Sequence, residues 1–167
     1  MRTIFNFLGP LTNPAGATRQ LLGVSDRRYQ ETIAEALVGL GAESALVVSA
    51  EDGLDELSIS TRTRVIEVKE GGTEEWFVEP GQFGLTEAPV EEIAGGEPGE
   101  NAAVIRAALG DAGGPAREVI VLNAAAAIYV GGQAADLGAG VERAREAIES
   151  GAASGLLERL IEESGAR

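Results

Sequence analysis

Four carboxylates stand within six residues at Glu51-Asp52-Gly53-Leu54-Asp55-Glu56, arranged around one glycine. Carboxylate oxygens are hard donors. Proteins hold Mg²⁺ with one or two of them, together with water and substrate phosphates. Without a cation, the neighbouring charges of Asp55 and Glu56 repel; a bound divalent ion would relieve that repulsion. The same run would also serve as a solvated acidic turn, because the chain carries 13 Lys and Arg against 27 Asp and Glu, a net charge of −14. Position favours a ligand site. The motif directly follows the apolar stretch Ala45-Leu46-Val47-Val48-Ser49, and open α/β sheets bind ligands just beyond the C-terminal ends of buried strands.

Two other segments invite a chemical reading. In Gly9-Pro10-Leu11-Thr12-Asn13-Pro14, apolar neighbours and exposed backbone beside two prolines could wall a small, flat-substrate pocket, or form a rigid connector. Asn123, ahead of Ala124 to Ala127, could cap a helix whose small residues let backbone come close to a ligand or a strand. The composition excludes much else. With no His and no Cys, there is no imidazole base, zinc finger, thiolate nucleophile or disulfide. A general base would have to be a carboxylate, a Lys, a Tyr or the substrate. Neither GxGxxG nor GxxxxGK[ST] occurs. An acidic surface disfavours nucleic acid and anionic membrane as partners. The absence of an export signal and of Cys predicts a cytoplasmic protein.

The elements that must position these residues can be read from periodicity. Gln20–Val24 predicts a strand, Arg27–Leu40 a helix with Tyr29, Ile33, Leu37 and Leu40 at helical spacing, and 45–49 a second strand. Strand, crossover helix and buried strand imply a parallel pair with a right-handed connection. Thr63–Lys69 and Thr73–Val78 predict a β-hairpin around Glu70-Gly71-Gly72. Residues 80–99 read as a Gly- and Pro-rich connection and 100–109 as a helix. Glu118–Leu122 reads as a third core strand, followed by an Ala-rich helix over 124–130 capped by Asn123. Two helices close the chain, near 137–150 and 155–163. The fold class expected is α/β: βαβ units with a mainly parallel sheet flanked by helices, plus a β-hairpin.

Several of these stretches together resemble the anthranilate phosphoribosyltransferase family. They are residues 2–15 (RTIFNFLGPLTNPA), Gln20–Val24, the acidic motif at 51–56, Gly95-Gly96 followed by Glu100-Asn101-Ala102, and Leu122-Asn123-Ala124-Ala125. The resemblance implies a large domain of the nucleoside phosphorylase/phosphoribosyltransferase type. It also implies transfer of 5-phosphoribosyl from phosphoribosyl pyrophosphate to anthranilate in tryptophan biosynthesis, with release of pyrophosphate and use of Mg²⁺. Asp55 and Glu56 match the family's metal-binding pair; Gly9 and Pro10 match backbone lining the anthranilate channel. No catalytic residue is carried over.

The family is about twice this length. Residues 1–167 therefore correspond to the C-terminal portion of the α/β catalytic domain, without the N-terminal helical subdomain and the GTGGD phosphate loop. The isolated chain is expected to be inactive, and the full-length form a homodimer. Ser49-Ala50 stands where the family often has His-Gly. Two alternatives are a pyrimidine nucleoside phosphorylase-like enzyme and the non-catalytic half of a split enzyme.

Overall fold

The computed structural model describes residues 9 and 11–165. Strand β1 (Arg19–Gly23) runs parallel to β2 (Ser44–Ala50), with Leu21 opposite Leu46. The crossover is a 3₁₀ turn at Arg27–Tyr29, where Asp26 accepts a hydrogen bond from the Arg28 amide, leading into helix α1 (Gln30–Gly39). Gly41, at φ +79°, closes that helix. Its amide donates to Val38 O and the Ala42 amide to Leu37 O, which satisfies carbonyls that a helix end leaves unpaired.

The predicted hairpin forms as β3 (Thr63–Lys69) and β4 (Gly72–Val78). Its turn places Glu70 at φ 54° and Gly71 at φ 76°. Two successive positive φ values give the turn whose twist matches paired strands. The sheet order is β1-β2-β3-β4. The expectation of a mainly parallel sheet is corrected here. Among the described residues, β1 and β2 pair parallel, whereas β2 with β3 and β3 with β4 pair antiparallel. The hairpin extends the βαβ sheet instead of standing apart from it.

Four longer helices follow: α2 (Pro98–Leu109), α3 (Pro115–Val130), α4 (Leu137–Glu149) and α5 (Ala152–Ser164). Helix α3 overturns the third-strand prediction. Glu118–Leu122 lies inside a 16-residue helix, so Asn123 is an interior helical residue and not a cap. A short β-branched apolar run cannot be told from a buried helix segment by periodicity. Here Pro115 in the first turn and the alanines at 124–127 extend the helix across it.

The strands separate two apolar layers. Ala45, Val47, Ile66 and Val68 pack with Ile33, Ala34 and Leu37 of α1. Leu46, Val48 and Val65 pack on the opposite side, with Val121, Leu122, Ala125 and Ala126 of α3 and Val141, Ala144 and Ile148 of α4. Burial of each large aliphatic side chain contributes about 1.5–3 kcal/mol. Helices α3 and α4 cross closely: a Cβ on Gly140 would lie 2.6 Å from Ala125 O. No helix among the described residues is long and apolar enough to cross a membrane.

Candidate functional site

The acidic motif begins where β2 ends. Because β1 and β2 are parallel, the last residues of both strands, Gly23 and Ala50, lie at one edge of the sheet. The loop doubles back tightly there. The Gly53 amide donates to Ala50 O at 3.1 Å and the Ala50 amide to Leu54 O at 3.1 Å. Gly53 has φ +93°, a conformation that L side chains rarely adopt.

The four carboxylates divide into two pairs. Glu51 Oε1 accepts from Arg62 Nε at 2.6 Å and lies 4.0 Å from Arg27. Asp52 is taken up by the loop: Oδ1 accepts from the Leu54 amide at 3.1 Å and Oδ2 from the buried Ser58 hydroxyl at 2.6 Å. Asp55 and Glu56 are exposed and form no hydrogen bond or ion pair with any described residue. Residue type and spacing alone gave the four no such ranking; the family resemblance singled out Asp55 and Glu56.

The backbone on either side of that free pair is anchored. Leu54 is held through its amide by Asp52 and through its carbonyl by Ala50. Leu57 is fully buried. Its amide donates to Asn123 Oδ1 at 2.9 Å, and its carbonyl accepts from Asn123 Nδ2 at 2.8 Å. Asn123 therefore reaches the acidic loop, although its position inside a helix is not the capping role predicted. The only sequence signal for this was a polar amide interrupting an apolar run.

Gly9 is exposed, and its carbonyl accepts from the Thr12 amide at 3.3 Å. Pro10 lies outside the described residues. No described hydrogen bond joins Gly9 to Asp55 or Glu56, so the two predicted sites are not brought into one by any such contact. The Gly95-Gly96 segment folds onto its own downstream residues: Asn101 accepts from the Gly96 amide at 2.7 Å and donates to Gly96 O at 3.1 Å.

The donor chemistry at Asp55 and Glu56 suits Mg²⁺. Two adjacent hard-oxygen donors open to solvent leave room for the water and phosphate oxygens that Mg²⁺ keeps. No group of three or more potential ligand side chains gathers among the described residues, so the site is not a closed protein cage. A parallel strand pair ending at a carboxylate loop, with helices on both sides of the sheet, defines an α/β domain.

The family model described as "Glycosyl transferase family, a/b domain" matches residues 1–154, and the chain belongs to that family. It is similar to anthranilate phosphoribosyltransferase from Rubrobacter xylanophilus, at 51% identity over 96% of this chain and 47% of that protein. It is likewise similar to the protein of the same name from Halorhodospira halophila, at 50% identity over 96% and 47%. The crystal structure of anthranilate phosphoribosyltransferase from Thermus thermophilus aligns with a TM-score of 0.87 at 46% identity, over 95% of this chain and 47% of that one. The Saccharomyces cerevisiae enzyme in complex with PRPP and Mg aligns with a TM-score of 0.86 at 28% identity, over 100% and 48%. The chain thus spans about half the length of the curated relatives it matches.

Proposed function

We propose that this chain forms the metal-carboxylate portion of an anthranilate phosphoribosyltransferase. The observation that carries this reading is the free pair Asp55 and Glu56, held between two anchored residues at the end of a parallel strand. Relatives of the same name, and a related structure titled as containing PRPP and Mg, support the substrate and the ion.

In this reading Asp55 and Glu56 present oxygens to Mg²⁺ at the mouth of the sheet. When bound there, Mg²⁺ would supply charge neutralisation for a pyrophosphate leaving group. The chain's own contribution is to hold that pair in place while the 5-phosphoribosyl group passes to the anthranilate amine, so positioning and electrostatics carry the rate. Gly9 and Pro10 are proposed as backbone lining the anthranilate side of the pocket. The 167 residues contain no GTGGD phosphate loop, so the complete reaction is assigned to the protein that also carries that loop. The family resemblance further supports a cytoplasmic, homodimeric full-length protein.

Anthranilate fluorescence in the presence of phosphoribosyl pyrophosphate and Mg²⁺ provides the test. We expect the signal to fall when this chain is joined to the N-terminal half of the Rubrobacter xylanophilus relative. Asp55→Asn combined with Glu56→Gln should slow that loss at least about 100-fold. A joined protein that leaves anthranilate untouched overturns the proposed reaction; a double variant that runs at the parent rate overturns the role of the pair.

A further inference from the structure

Asn123 has an unusual position for its residue type. Asn is a poor helix former because its side chain competes for backbone hydrogen bonds, yet this one lies eight residues into the 16-residue helix α3. Its amide group is fully engaged across the gap to the acidic loop. Oδ1 accepts from the Leu57 amide at 2.9 Å, and Nδ2 donates to Leu57 O at 2.8 Å and to Val119 O at 3.0 Å. The third bond, back to its own helix, fixes the plane of the amide. The first two then fix the backbone immediately after Glu56. Leu57 could not be held this way by an apolar residue, and an aspartate could supply the acceptor but not the donor.

We propose that Asn123 is a positioning residue for the Asp55–Glu56 metal pair. It acts through the Leu57 backbone and transmits the rigidity of α3 to the loop. Adjacent carboxylates on a free loop would spread apart under their own repulsion. With Leu57 clamped on one side and Leu54 held by Asp52 and Ala50 on the other, the pair is held close to one arrangement before any ion arrives. This is the role that outer-shell hydrogen bonds play around metal ligands. The inference rests on the reading of Asp55 and Glu56 given above.

The test uses the 167-residue chain and Mn²⁺ alone, with binding followed by electron paramagnetic resonance and amide exchange followed by mass spectrometry. Asp55→Asn serves as the control for the metal pair. We expect Asp55→Asn to weaken Mn²⁺ binding at least tenfold without changing exchange in β2. Asn123→Ala and the nearly isosteric Asn123→Asp should weaken it about tenfold and accelerate exchange at residues 54–58, while β2 and α1 keep their protection. Unchanged Mn²⁺ affinity in both Asn123 variants, with Asp55→Asn impaired, overturns the positioning role. So does a loss of affinity that only accompanies loss of protection throughout the chain. Wild-type affinity in Asp55→Asn overturns the metal reading itself and the proposal with it, so the two failures are distinguishable.

Discussion

Gly23 lies directly against the carbonyl of Asp55: a Cβ built on Gly23 would sit 1.5 Å from that oxygen. The last residue of β1 thus forms the floor on which the acidic loop rests, and only a residue without a side chain leaves room for it. The contact joins the two parallel strands to the free carboxylates. It accounts for a glycine at a strand end, where the sequence offered no reason for one.

Gly23→Ala should therefore push the Asp55 peptide outward or strain β1. Overpacking typically costs about 1–3 kcal/mol, and the backbone contact places this site at the upper end. Urea unfolding should show the loss as a lower midpoint with an unchanged slope. A midpoint equal to that of the parent would mean that the loop moves aside freely.

Tyr129 offers a second test. Its hydroxyl donates to the buried Glu67 carboxylate at 2.6 Å, and the Trp76 ring nitrogen donates to the same group at 3.1 Å. The hydrogen bond to Glu67, followed by burial and the nearby negative charge, pushes the phenol up to about 12. A raised pKa adds stability that is complete below the unfolded value of about 10 and disappears as pH climbs through the folded value. In alkaline absorbance titration, Glu67→Gln should bring the Tyr129 transition down towards 10. Tyr129→Phe should cost about 1–2 kcal/mol at neutral pH.

Arg64 joins the hairpin to α1. It donates to Gln30 Oε1 at 3.2 Å, to Glu31 at 2.7 Å and to Glu75 at 2.5 Å. The hydrogen bond from Arg64 holds the Glu75 carboxyl below its ordinary value of 4.5. The stability this adds is present above about pH 4.5 and disappears as pH falls through the lower folded value. Arg64→Met should therefore flatten the acid limb of the stability profile measured by circular dichroism. It also leaves the buried Gln30 oxygen without that donor, at a cost of about 1–3 kcal/mol.

The isolated 167-residue chain should not consume anthranilate in the presence of phosphoribosyl pyrophosphate and Mg²⁺. Its sequence contains no glycine-rich loop of the GTGGD type, to which the family resemblance assigns the pyrophosphate. Steady turnover by this chain alone, read as loss of anthranilate fluorescence, would contradict that expectation.

Much of the framework could be read along the chain. The strand–helix–strand unit over residues 19–50 and the hairpin over 63–78 follow from local signals: apolar periodicity, Asp26 before the first helical turn, and glycines where φ must be positive. The acidic motif and its place after a buried strand were legible for the same reason. Residues 118–122 were not, because a run of β-branched and apolar side chains suits a strand or a buried helix equally. Packing against the sheet and α4 decides between them.

By itself the sequence determined which chemistry was available: hard carboxylate oxygens, no imidazole and no thiol. Tertiary structure decided which of those carboxylates remain free. Glu51 is paired by Arg62 and Asp52 by Ser58, whereas Asp55 and Glu56 stay open between the contacts of Gly23 and Asn123. Residue type and spacing set what a side chain can donate or accept. Only the folded loop, which brings Arg62 to Glu51 and Ser58 to Asp52 while β1 and α3 hold its backbone, sets which groups are already used.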